Sequence, residues 1–228
     1  MRRVAALAAA LGGLVMAIAW IRRQPAARDA TARFRTASSP SVRLYDTLAG
    51  ALLGGLYSRI AAEVAELGDG IAARTILEVG PGPGHVAVGL ARLRPMVEIT
   101  GLDIDPAMIA LARARVETAG IGERVRFVEG DAAAMPFADA AFDLVMSSFS
   151  AHHWPDAPAA FREIHRVLRP GGAVVVYDLP DGWGQFETGA IGLEPAAAAG
   201  GFDDRRAEPV AWPRRVRLVR RLTATRGD

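Results

Sequence analysis

The chain contains no cysteine and no lysine, and all 27 of its basic residues are arginine. Without cysteine there is no disulfide framework, no thiolate nucleophile and no zinc–thiolate centre. Without lysine there is no Schiff-base chemistry of the pyridoxal kind. A phosphate loop is excluded as well, since it needs a lysine after its last glycine. Aromatic residues are sparse at 7%. Only Trp212 lies near the most basic stretch, Arg214 to Arg221, so the stacking partners of a nucleic-acid surface are missing. No internal repeat of solenoid length is apparent. Glycine is plentiful, and 51% of the 228 residues are apolar. That is enough for a full core, and the length suits one domain with an appendage.

The glycines are concentrated where they matter most, in R-T-I-L-E-V-G-P-G-P-G from Arg74 to Gly84. A short apolar run ends in Glu78 and then in glycine at every second position. Each glycine forfeits backbone order, so the pattern makes sense where the chain turns sharply and a ligand approaches closely. A strand before the loop and a helix after it is how open α/β sheets build a nucleotide crevice. The dinucleotide fingerprint wants its third glycine at the position held by His85, which disfavours a nicotinamide cofactor. An ordinary turn is the plain alternative.

Three further segments share this pattern. Val97 to Asp103 reads as a second strand ending in a carboxylate placed to accept from ribose hydroxyls. Asp105, followed by Pro106 and closed by Gly120, is the better helix cap and leaves Asp103 for a ligand. Val125 to Asp131 is a third acid-ended strand. Phe142 to Ser148 is a fourth, running into Ser150-Ala151-His152-His153-Trp154, then R-V-L-R-P-G-G and the apolar strand Ala173 to Tyr177. Helices over 106–119 and 157–168 alternate with these strands, as parallel βαβ units require.

In order and spacing, these segments resemble the type 11 branch of the class I S-adenosylmethionine (SAM)-dependent methyltransferases, relatives of the ubiquinone and menaquinone methyltransferases. The resemblance covers roughly Tyr45 to Phe202. It implies an α/β fold: a Rossmann-like, doubly wound, mostly parallel seven-stranded sheet flanked by helices. It also implies SAM as cofactor. Glu78 would meet the methionine amino group, directly or through water. Gly80, Gly82 and Gly84 would allow close approach, and Asp103 would hold the ribose. Asp131 and Ala132 would take the adenine, and Ser148 the methionine end. No metal is expected. Methyl transfer from a sulfonium needs near-attack geometry above all, and a base only when the acceptor must lose a proton. His152 and His153 are the candidates for that base, with Asp156 nearby.

The N-terminus departs from this soluble plan. After Arg2-Arg3, residues Val4 to Ile21 are uncharged and mostly apolar, closed by Arg22-Arg23. Such a run suits a membrane-anchor helix over 1–23, followed by a linker over 24–40 and the methyltransferase domain over 41–228. A cleaved signal peptide ending at Ala17-Ile18-Ala19 and an extra buried helix are the alternatives. Charge is segregated: residues 1–43 hold 8 arginines and 1 acid, and residues 205–228 hold 8 arginines and 2 acids. The span between them holds 11 arginines and 22 acids. The excess of arginine after the apolar run places the catalytic domain on the cytoplasmic side, where SAM is made. The Arg214–Arg221 run reads as an edge strand protected by arginines, or as a contact for anionic lipid.

The acceptor is the least legible feature. In the resembling branch, acceptors range over quinone precursors, sterols, small metabolites and lipids. Here Tyr45, Leu48, Leu52, Leu53, Leu56 and Tyr57, with Trp183 and Phe186, form a candidate apolar wall, though ordinary core packing accounts for them equally well. A small, lipophilic acceptor methylated at oxygen or carbon is the leading expectation. A soluble metabolite as acceptor and an inactive, regulatory SAM-binding protein are the alternatives. No nucleic-acid partner is expected.

Overall fold

The structure is a computed structural model that describes residues 40–180, 192–211 and 219–227, with side chains from Asp46 onward. The expected anchor (1–23), nearly all of the linker and the side chain of Tyr45 lie outside the described residues, as do Trp183, Phe186, Trp212 and Arg214 to Arg217.

The elements are α1 (Pro40–Gly70), β1 (Thr75–Val79), α2 (His85–Leu93), β2 (Glu98–Asp103), α3 (Pro106–Thr118), β3 (Val125–Glu129), β4 (Phe142–Ser148), a 3-10 turn (Ala151–His153), α4 (Ala157–Val167), β5 (Leu168–Asp178), α5 (Leu193–Ala199), β6 (Arg205–Val210) and β7 (Val219–Thr225). They build one seven-stranded sheet in the order β3-β2-β1-β4-β5-β7-β6. Strands β1 to β5 pair in parallel, while β7 runs antiparallel to both β5 and β6. The central strands are buried on both faces, which is why they read as continuous apolar runs.

One face of the sheet is covered by α1, α2 and α3 through Leu56, Ile60, Val64, Leu90, Ile109 and Val116. The other carries α4 and α5, with Phe161, Ile164, Val167, Ala196 and Phe202. Local signals set the helix ends. Asp105 accepts from the Ala107 amide at 2.8 Å with Pro106 in the first turn, and Gly120 takes φ +68° after the helix. The motif acid Asp143 is scaffolding: its Oδ2 accepts from the amides of Arg74 and Thr75, and it pairs with Arg169, tying β4 to the start of β1. Arg166 likewise spans Glu163, Asp139 and the carbonyls of Met135 and Phe137.

One expectation changes. The strand at the end of the arginine run is not an edge: β7 lies between β5 and β6, and β6 is the edge. Arg221 there is spent on Glu63 and Glu208 instead of on solvent. Within the candidate apolar wall, Leu53 and Leu56 belong to the core, while Leu48 is 41% exposed and Tyr57 half-buried. The stretch Asp46–Gly70 of α1 is long and apolar enough to cross a membrane by composition alone. Its packing is that of a core helix, with Ile60, Ala61 and Val64 almost wholly buried against the sheet and α2.

Candidate active site

Strand order reverses between β1 and β4, and the crevice at such a switch point opens beyond the carboxyl ends of the strands. The loop after β1 lies on one side of it, and the segment after β4 on the other. Ala132 and the acids Asp103 and Asp131 follow along the same end of the sheet, on β2 and just past β3.

All three loop glycines take positive φ, at +69°, +51° and +81° for Gly80, Gly82 and Gly84. Their surroundings differ. A Cβ on Gly80 would lie 1.9 Å from Ser150 Oγ, and one on Gly84 would press on Ala112 at 3.1 Å, so both serve internal packing. A Cβ on Gly82 would meet nothing within 4 Å. Gly82 is therefore the point where a ligand can reach the backbone.

Asp103 is engaged rather than idle. Its Oδ2 accepts from the Gly82 amide at 3.0 Å and its Oδ1 from the Asp105 amide at 2.9 Å. Burial pushes its pKa up, partly offset by those amides. Each oxygen keeps a further lone pair, so the carboxylate can fix the loop and still accept from a diol. Asp131 is exposed, with Oδ1 accepting from the Ala133 amide at 2.9 Å beside half-buried Ala132.

Glu78 is the anomaly of the site. It is fully buried, neither carboxylate oxygen has a hydrogen-bond partner, and its pKa is pushed up to about 8. Desolvation is the main cause and the charge of Asp103 the next. The Ala87 amide and the Ser148 hydroxyl pull the other way from nearby, without reaching hydrogen-bond geometry. A buried carboxylate without a donor is costly unless a donor arrives with a ligand. An ammonium group meets that need, and with the open space at Gly82 and the carboxylate of Asp103 these residues fit SAM.

The two histidines differ in burial and in partners. The Nδ1 of His152 lies 2.6 Å from Asp178 Oδ1, and its backbone amide donates to Asp178 Oδ2 at 2.8 Å. Asp178 is only 2% exposed, at the carboxyl end of β5. An ionised carboxylate only accepts, so Nδ1 carries the proton and Nε2 presents a lone pair. His153 is exposed, its ring 3.9 Å from that of His152 and tilted by 50°. Asp156 caps α4, accepting from the Ala159 amide. Asp178 escaped the sequence reading, although an acid closing the fifth strand repeats the pattern of Asp103 and Asp131. The ring of His85 with Asp46 and Arg115 was also missed, because its members are far apart in the chain.

Comparison with known proteins agrees with this geometry. A family model described as Methyltransferase domain, of the type 11 set, matches residues 77–176. The demethylmenaquinone methyltransferase of Deinococcus radiodurans is 32% identical over 163 residues, covering 67% of each chain. That of Thermus thermophilus is 41% identical over 109 residues, 48% of this chain and 49% of the relative, so the match spans about half the length of that protein. Among solved structures, the [4+2]-cyclase SpnF superposes with a TM-score of 0.63 over 75% of this chain and 81% of that one, at 22% identity, a likeness of fold. Sequence, sheet order and crevice converge, and the chain belongs to the class I SAM-dependent methyltransferases, in their type 11 branch.

Proposed function

We propose that the chain transfers the SAM methyl group to a small lipophilic acceptor, at oxygen or carbon, with His152 as the base. The observation that carries the cofactor placement is Glu78, a buried carboxylate lacking any donor directly beneath the glycine loop. In this reading Glu78 takes the methionine ammonium, with Ser148 beside it. Gly80, Gly82 and Gly84 shape the loop, with the closest approach at Gly82. Asp103 accepts from the ribose, and Asp131 with the Ala132 amide meets the adenine. Bound SAM supplies an electrophilic methyl group on a sulfonium. The acceptor's oxygen or carbon forms the new bond as the carbon–sulfur bond breaks, and sulfur leaves neutral. The acceptor's proton goes to Nε2 of His152, and Asp178 steadies the imidazolium through Nδ1–H. Most of the rate advantage lies in holding the two reactants together out of water.

The lipophilic acceptor is supported by three features. The aligned relatives from Deinococcus and Thermus are named for a quinone substrate. Tyr57 and Phe149 pack edge to face, with ring centroids 6.4 Å apart, where β4 leads toward His152. The apolar run Val4 to Ile21, as a membrane anchor with the catalytic domain on the cytoplasmic side, would hold the crevice near dissolved lipid. The test is methylation with radiolabelled SAM of a lipid extract against a soluble-metabolite pool. Label in the lipid fraction is the expected result. Label confined to soluble metabolites would refute the acceptor class, and none in either pool would favour the regulatory alternative.

A further inference from the structure

Helix α1 is tied to the site by more than apolar contact. Both oxygens of Asp46 accept from Nη2 of Arg115, at 2.6 and 2.7 Å, and Oδ1 also lies 2.9 Å from Nε2 of His85. Nη1 of Arg115 is 2.7 Å from Nδ1 of the same imidazole. The same Nη1 lies 3.3 Å from Nε2, so the guanidinium meets the imidazole at both ring nitrogens while Nε2 stays within reach of Asp46. Three helices thus close a ring of polar contacts around His85. Tyr57 stacks on that imidazole at 5.1 Å and 9°, and a Cβ on Gly50 would lie 3.0 Å from it.

The ring's position gives it consequence. His85 directly follows Gly84 of the glycine loop, and Phe149, edge to face with Tyr57, directly follows Ser148. Farther along α1, the Tyr177 hydroxyl donates to Glu63 at 2.9 Å, and the next residue is Asp178. Helix α1 is therefore fastened to both banks of the crevice. The ring's side chains are only about a fifth exposed, at 21% for Asp46, 18% for His85 and 25% for Arg115. Apolar residues of similar size often pack such a place at no loss of stability, so stability alone gives little reason for a charged ring.

We infer that Asp46, His85 and Arg115 form a clasp: positioning residues that hold α1 against the glycine loop and so set how slowly SAM leaves. The clasp rests on the cofactor site proposed above. It makes no contact with the reacting atoms and acts through the loop that follows β1. Its opening and closing would govern cofactor exchange between turnovers.

The test compares the parent chain, Asp46→Asn, Arg115→Met, the exchanged pair Asp46→Arg with Arg115→Asp, and Gly82→Val as a control on the site itself. Release of labelled SAM into an excess of unlabelled SAM gives the dissociation rate. Hydrogen exchange over residues 46–57 reports the docking of α1, and thermal melts report global stability. The two single variants should release SAM about tenfold faster, the size expected when one link of a coupled network is cut. Exchange over 46–57 should rise while the melting temperature moves little. The exchanged pair should restore slow release, because it keeps a carboxylate and a guanidinium paired between α1 and α3 beside His85. Release as slow as the parent's in both single variants would overturn the clasp. So would faster release that the exchanged pair leaves uncorrected. If the parent binds SAM, Gly82→Val does not, and the clasp variants behave like the parent, the clasp alone fails. If the parent does not bind SAM, the cofactor reading fails and takes the clasp with it.

Discussion

Replacing Glu78 by Gln removes one ionisable group from the base of the crevice at nearly constant volume, and its effect on stability follows from the geometry. The carboxyl is fully buried, and its pKa is raised from 4.5 to about 8. A raised acid binds its proton more tightly in the folded chain than in the unfolded one. Stability is therefore unaffected below the unfolded pKa and falls as pH rises through the interval between the two values. Between pH 6 and pH 8.5 the parent should lose roughly 2–3 kcal/mol from this group alone. For a domain of this size that corresponds to roughly 5–10 °C in melting temperature. Glu78→Gln should lack this component, so the difference between the two melting curves should widen steadily across the interval. SAM should reverse the trend in the parent. A methionine ammonium beside the carboxylate favours its ionised form, so SAM should raise the melting temperature more at pH 8.5 than at pH 6, with release of a proton on binding near neutral pH. Melts at a series of pH values, with and without SAM, read all of this. Parallel curves for parent and variant would show that Glu78 does not titrate in the interval, and a SAM stabilisation independent of Glu78 would remove it from the cofactor site.

Three other outcomes are expected. Gly82→Val should abolish SAM binding in calorimetry, because its side chain projects into the open space at the loop, while Asp103→Ala should weaken binding by about 1–3 kcal/mol; parent-like affinity in both would refute the site. His152→Ala should lower turnover by about 10²–10⁴-fold with SAM affinity unchanged, and added imidazole should restore part of it; Asp178→Asn should fall in the same direction, and full activity in either variant would leave the chemistry without a base from this pair. The full chain should pellet with membranes and resist high-salt extraction, whereas a chain starting at Ser41 should stay in the supernatant and bind SAM, and a full chain found in the supernatant would refute the anchor.

Much of the fold was legible in the order of residues, and for a local reason. Glycine spacing, strand-end acids, the Asp105-Pro106 cap and apolar periodicity are all short-range properties of the chain. They placed the βαβ order, the helices over 106–119 and 157–168 nearly to the residue, the glycine loop and the strand-end acids. What depends on residues distant in the chain was not legible. Only the folded sheet shows that Gly82 faces open space while Gly80 and Gly84 serve packing against Ser150 and Ala112. The adjacent histidines looked alike until β5 delivered Asp178 to His152, 26 positions away. The arginine run read as an edge because paired strands are invisible in one dimension; β6, earlier in the chain, takes the edge and Glu63 of α1 takes Arg221. The Asp46–His85–Arg115 ring draws on three helices, and its bonds span 39 and 69 positions. Propensity and pattern act over a turn or a strand, whereas pairing partners and burial are settled only when the whole sheet closes, and it is there that site chemistry is assigned.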